Sequence, residues 1–153
     1  MTESVWGIHM KEMCKEPVVD GFIGIGWKTM GDLSNLPNNR KEIRKLIQIA
    51  YPRYSSHMAG SDAGVLHRFL HQVSVGDIVV YPDASKPNRM VHIGRVIGDY
   101  QYFPDGDPYP SRRKVDWIAH IPRDHFSESA RFAISARKTF FEIKDGAEFW
   151  PPR

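Results

Sequence analysis

Apolar and polar positions alternate from Val5 to Met10, which predicts a first strand. A short irregular connection, KEMCKEPVVD at 11–20, leads to a second compact strand in GFIGIGW at 21–27. There Gly24 and Gly26 flank Ile25 and let the backbone come close to another element or to a ligand. From Asp32 to Val73 the period becomes helical. Asn38 or Asn39 caps a helix over 40–51 that carries Ile43, Leu46, Ile47 and Ala50 on one face and stops at Pro52. After a turn-rich stretch at 52–62, Ser61 or Asp62 caps a second helix over 63–73, striped by Val65, Leu66, Phe69, Leu70 and Val73. Alternation returns after VGD at 75–77, a tight turn into a strand at 78–81. Two long strands follow, at about 90–100 and 112–120, then a short helical piece from Ser127 or Ser129 to about Arg137 and a closing strand at 139–143. The tail from Trp150 to Arg153 reads as frayed. No repeat, linker or low-complexity tract interrupts this order. It predicts a single α+β domain over 1–153: a curved or closed, mainly antiparallel sheet with flanking helices and a helical segment inserted at about 38–73.

With 153 residues, 41% hydrophobic and 25% charged, the chain has the composition of a folded globular domain that needs no staples. A lone cysteine, Cys14, excludes an internal disulfide and a cysteine-based zinc site and points to a reducing compartment. No apolar run approaches the ~20 residues of a membrane span, and the start lacks the order of a signal peptide. The expected location is therefore the cytoplasm, with no membrane partner. A net charge of +3 says little by itself, but its distribution says more. Cations gather in NRKEIRK at 39–45, in RRK at 112–114 and between Arg131 and Lys138, while Asp99, Asp105 and Asp107 collect in one loop.

That loop carries most of the candidate chemistry. GDYQYFPDGDPYP at 98–110 holds three tyrosines, a phenylalanine and three prolines and runs directly into Arg112, Arg113 and Lys114. Ring faces beside fixed cations suit a planar, electron-rich group, and a nucleobase is one. Trp6, Trp117, Phe69, Phe140 and Phe141 fall at inward-looking positions and read as core. Trp27, Tyr54, Tyr100, Tyr102 and Tyr109 fall at strand ends or in loops. The expected pocket takes its stacking faces from Trp27 with Tyr54, Tyr100 or Tyr102, and its hydrogen bonds to a base edge from Ser56, Ser61 and Asp62. Arg40, Lys41, Arg44 and Lys45, with Arg112, Arg113 and Lys114, are the expected phosphate contacts.

Catalytic signals are weak. Glu142 and Lys144 have the Glu-x-Lys form of metal-dependent nuclease strands, with Asp116 or Asp124 as the missing acid, and an exposed strand end is the plainer account. His67 and His71 share a helix face at i, i+4 but lack a third ligand. GIG at 24–26 does not extend into a phosphate loop. No serine or cysteine sits in a nucleophile pattern, so a binding module is expected, with no catalytic residue, metal or cofactor.

The order of these elements resembles an EVE domain, a member of the PUA-like superfamily that also contains the YTH and ASCH domains. A Trp-containing first strand, a Ser-rich segment leading into a helix that ends in VGDIVVY at 75–81, VHIGRVIGDYQYFPD at 91–105, RKVDWIAHIPRDHF at 113–126 and ISARKTFFEI at 134–143 carry the likeness over most of the chain. More narrowly, GIGW at 24–27, the helix at 40–51 and the block 98–117 resemble the N-terminal modules of prokaryotic modification-dependent restriction endonucleases. The resemblance implies a PUA-like β-barrel with flanking helices. It also implies a ligand: a flipped modified base in double-stranded DNA, foremost a modified cytosine such as 5-methylcytosine. Cutting would then fall to a fused or associated nuclease domain outside these 153 residues. RNA stays open as a partner, because YTH relatives read modified RNA and stacking does not sense the 2′-hydroxyl.

Overall fold

The computed structural model describes residues 3–10, 16–84 and 89–150, so the readings of Cys14 and of the tail at 151–153 lie outside the described residues. Contacts divide the chain into two compact units. The first comprises Met1–Ile23, Ser74–Asp99 and Arg113–Arg153; the second comprises Gly24–Val73 and Tyr100–Arg112.

Six strands form one sheet: β1 Val5–Ile8, β2 Phe22–Ile25, β3 Ile78–Pro82, β4 Met90–Tyr102, β5 Ser111–Pro122 and β6 Phe140–Glu142, in the order β2-β5-β4-β3-β1-β6. β1 and β3 run parallel, with Trp6 opposite Val79. Antiparallel neighbours flank that pair, Gly7 facing Phe141 across β1 and β6 and Val80 facing Ile93 across β3 and β4. The α+β class and the mostly antiparallel sheet follow the alternation in the sequence. The closed form does not: β2 and β6 end the strand order as edges, and no described pairing joins them. No described helix is long and apolar enough to cross a membrane.

In the first unit, α1 Glu16–Asp20 forms where the sequence suggested an irregular connection, and α4 Glu128–Ala133 starts from Ser127, whose Oγ accepts from Ala130 N at 3.1 Å. Phe126, Ala130 and Ile134 bury one side of that helix in a core with Ile78, Val80, Ile93 and Phe141. Each of the larger of these side chains contributes roughly 1.5–3 kcal/mol by leaving water. The packing is close enough to require glycine at position 7, where a Cβ would collide with the ring of Phe141.

The turn before β3 is built around Asp77, which is 8% exposed. Gly76 takes φ +100°, a left-handed conformation that glycine adopts without steric cost. Oδ2 of Asp77 accepts from the Trp6 indole at 3.0 Å and from Ser74 N at 2.8 Å, and Oδ1 accepts from Ser4 N at 3.2 Å. One carboxylate thus holds the turn, the start of β1 and a core tryptophan together.

In the second unit, α2 Arg40–Ala50 is capped by Asn39, whose side chain accepts from Glu42 N. Ile43 and Ile47 are fully buried, whereas Leu46, expected in the same stripe, is 39% exposed. α3 Ser56–His67 begins earlier than the pattern suggested, because Ser55 caps it through Met58 N at 3.1 Å. Ser61 and Asp62 therefore sit inside the helix and cap nothing. Its first three buried positions are Ala59, Ala63 and Gly64, too small to leave an apolar stripe in the sequence. A π-helical turn, Arg68–Gln72, continues it.

Removing the Asp77 carboxylate strands three donors at a buried site, so Asp77→Ala is expected to lower unfolding free energy by about 3 kcal/mol. Urea denaturation measures this, and a double-mutant cycle with Trp6→Phe isolates the indole's share. A loss near zero would show that the turn holds without its carboxylate.

Candidate nucleic-acid interface

Beyond β2 the chain leaves the sheet through Gly26 and then places Trp27 at φ 60°, ψ 48°. A non-glycine residue in the left-handed region costs on the order of 1 kcal/mol or more and persists where its surroundings fix it. Here the fixing contact is with Asp62 on α3: the Trp27 indole N–H donates to Oδ2 at 3.0 Å. Both side chains are half-buried. Burial pushes the Asp62 carboxyl above the ordinary carboxylate range, and the indole N–H, which favours the charged form, opposes that shift.

Two phenols join this pair. Tyr51 and Tyr54 stack with centroids 4.9 Å apart and planes 17° apart, brought together by a turn in which Tyr54 N donates to Tyr51 O. The Tyr51 hydroxyl accepts from Thr29 N at 3.2 Å, two residues past Trp27. The Tyr54 hydroxyl is held above its usual value by burial first, then by the charge of Asp62 and by Tyr51. Trp27, Tyr51, Tyr54 and Asp62 therefore form one cluster, of which the sequence reading had three. Tyr51 was passed over as the last residue of a helix, and the signal that could have found it is the Tyr-x-x-Tyr spacing across Pro52.

The other expected pocket residues stand apart from that cluster. Tyr100 anchors the segment after Trp27 instead: its hydroxyl accepts from Leu33 N at 2.8 Å and shares a hydrogen bond with Ser111 at 2.9 Å. Burial pushes its ionisation up. Tyr102 is half-buried and lies within electrostatic reach of Lys28, whose ammonium pairs with Asp107 at 2.7 Å. Ser56 and Ser61 are exposed on α3. At about 100° per residue, Ser61 projects away from the Asp62 face and Ser56 lies about 120° off it. Neither is brought to the indole.

The expected phosphate contacts divide. Arg40, Lys41 and Lys45 are exposed on α2 and Arg44 is half-buried, the i, i+4 pairs making two adjacent basic rows. Lys45 is also within 3.3 Å of Glu42. Arg68, unremarked in the sequence, extends this basic face: burial and then nearby Arg40 push its ionisation down. Arg112 lies 4.6 Å over the Phe103 ring and donates to the carbonyls of Tyr109 and Gly106 at 2.8 and 3.1 Å, bracing its own loop. Arg113 belongs to the first unit and is a correction to the sequence reading. It is 5% exposed and directs Nη1 to Gly98 O at 3.4 Å, so it is turned away from any solvent phosphate. Lys114, in the same unit, is exposed.

The histidine pair is used within the second unit. His67 Nε2 meets Asn38 Oδ1 at 2.6 Å and His71 Nε2 meets Leu36 O at 3.0 Å, so both rings hold the segment before α2. Glu142 and Lys144 are exposed at β6, and no group of three or more metal-ligating side chains occurs among the described residues.

Residues 4–144 match the family model described as a domain of unknown function, DUF8426. No curated protein and no solved structure matches the chain significantly.

Native Asp62 binds its proton more tightly than the same residue does in the unfolded chain. Stability should therefore fall as pH rises from the ordinary carboxylate range to the raised native value. Asp62→Asn keeps an oxygen for the Trp27 N–H and removes that ionisation. The expected result is a flatter dependence of the urea midpoint on pH, with the variant gaining on the parent toward neutral pH. Parallel profiles would place Asp62 in water rather than half-buried against the indole.

Proposed function

We propose that this chain, which belongs to the DUF8426 family, is a nucleic-acid-binding module that holds a flipped, modified base, most simply a modified cytosine in DNA, against Trp27. The supporting observation is the hydrogen bond that fixes the Trp27 indole edge on half-buried Asp62. An indole held at its edge presents a ring face without further ordering cost. The carboxylate beside it can accept from the exocyclic amino group of cytosine through its second oxygen. Protonated, the same group can also donate to the ring nitrogen of that base, and its raised ionisation favours this form.

The magnitudes are compatible. Extruding a base costs a few kcal/mol. Stacking on an aromatic ring contributes roughly 1–3 kcal/mol per base, so two faces, Trp27 and one tyrosine of the Tyr51–Tyr54 stack, offset the cost. A methyl group adds only about 0.8 kcal/mol by burial, so discrimination rests on the Asp62 hydrogen bond and the fit around the ring. The basic rows of α2, with Arg40, Lys41, Arg44 and Lys45, supply sequence-independent grip on phosphates. In this reading the fold is a PUA-like variant whose sheet stays open, the module does no chemistry, and any cleavage belongs to a nuclease domain or partner outside these residues.

A panel of duplexes and RNA strands carrying different cytosine and adenine modifications, titrated by fluorescence anisotropy at one stated salt concentration, tests this. The expected pattern is a preference for one modified duplex that Trp27→Ala erases while weak, salt-sensitive binding persists. Equal loss on modified and plain strands would sink the assignment of the pocket. Lys41→Ala is expected to weaken every strand alike and to reduce the salt slope by about one unit.

A further inference from the structure

Arg123 sits in a setting that the base-reading site does not use. It opens a short helical turn, Arg123–His125, after β5, wholly within the first unit. Its backbone N–H donates to Arg89 O at 3.0 Å, and its Nη2 donates to Arg131 O at 3.3 Å and to Ser135 Oγ at 2.7 Å. Two acceptors thus lock the guanidinium, leaving three of its five N–H groups. Burial and then the two further guanidiniums of Arg89 and Arg131, which crowd it, lower its proton affinity. Beside it is a cavity of about 180 Å³, lined by His9, Asp83, Arg89, Arg123 and Ser135 among others. At about 30 Å³ per water that is the space of some six waters, enough for a tetrahedral oxyanion with part of its shell.

Two further observations point the same way. His9 also borders this cavity, and its Nε2 is buried with no hydrogen-bond partner among the described residues. Buried polar atoms are nearly always paired, so an orphan beside a basic cavity suits a partner that arrives with a ligand. The carboxylate at the rim, Asp83, is turned to His92 at 3.4 Å, and the adjoining cleft adds Arg137 and Lys138 around the same His9 and Ser135. Crowded cations repel one another, and an oxyanion relieves that repulsion while taking charge-assisted hydrogen bonds.

We infer that the cavity at Arg123 is a phosphate-binding site, with Arg123 and Arg89 as the principal contacts and a phosphomonoester or orthophosphate as ligand. The inference is independent of the proposed base pocket. Titration calorimetry of the full chain at low ionic strength tests it, using orthophosphate, thymidine 5′-monophosphate and thymidine. The expected result is saturable binding of the two phosphates and none of thymidine, weakened at least about fivefold by Arg123→Gln. Because Arg123 also braces local structure, Arg89→Ala provides the second arm; its side chain is exposed, and the same weakening is expected with an unchanged melting temperature. Tighter binding of the monophosphate than of orthophosphate would identify a nucleotide or a strand end as the source, and equal binding would identify free phosphate. Trp27→Ala should leave these affinities unchanged, which separates this site from the base pocket. Thymidine binding as well as its monophosphate, or phosphate affinities indifferent to both arginine variants, would overturn the assignment.

Discussion

The carboxylate of Asp77 is the constraint on which the first unit depends. β1 and β3 lie side by side and parallel, so no hairpin can set their register. Asp77 sets it instead by accepting from Ser4 at the mouth of β1, from Ser74 at the turn and from the indole of Trp6 one residue into the strand. The neighbouring backbone extends the clamp: Gly76 N donates to Val96 O, and Val96 N donates to Asp77 O, both at 2.8 Å, which ties β4 to the same point. Trp6, so fixed, stacks on Phe140 with centroids 5.1 Å apart and carries the constraint across to β6. An isolated carboxylate would be costly at that depth. With three donors around it, it becomes the junction of four strands.

The second unit uses another device. Its helices α2 and α3 pack together, α3 burying the small residues Ala59, Ala63 and Gly64 and α2 burying Ile43 and Ile47. The strained backbone of Trp27 belongs with this arrangement. A left-handed tryptophan is held by one hydrogen bond to a carboxyl that burial makes reluctant to ionise, so ring position and proton affinity are coupled. A ligand that touches either one acts on both.

Much of the sheet was legible because alternation is a direct record of which face is covered, and the VGD turn and the caps at Asn39 and Ser127 follow from local hydrogen bonding alone. The start of α3 was not legible, since alanine and glycine bury without leaving a hydrophobic period. Alternation cannot tell a curved sheet from a closed one and left both open; the resemblance implied a barrel, and the strand order does not have that closure. Arg113 is the instructive case among the site residues. Read as one of three consecutive cations it belonged to a phosphate surface; read by parity it shares its side of β5 with Ser111 and Val115, both buried. Period two outweighed composition. The indole–carboxylate pair spans 35 positions, and no spacing rule reaches so far.

One of the two edge strands, β6, has only three residues, with Glu142 exposed on it and Lys144 just beyond. At about 3.4 Å per residue it offers a passing chain roughly 10 Å of ladder, and charged side chains flank that length. So short a template favours no lasting register with a stray strand, and the sheet can end in water there without inviting fibrils.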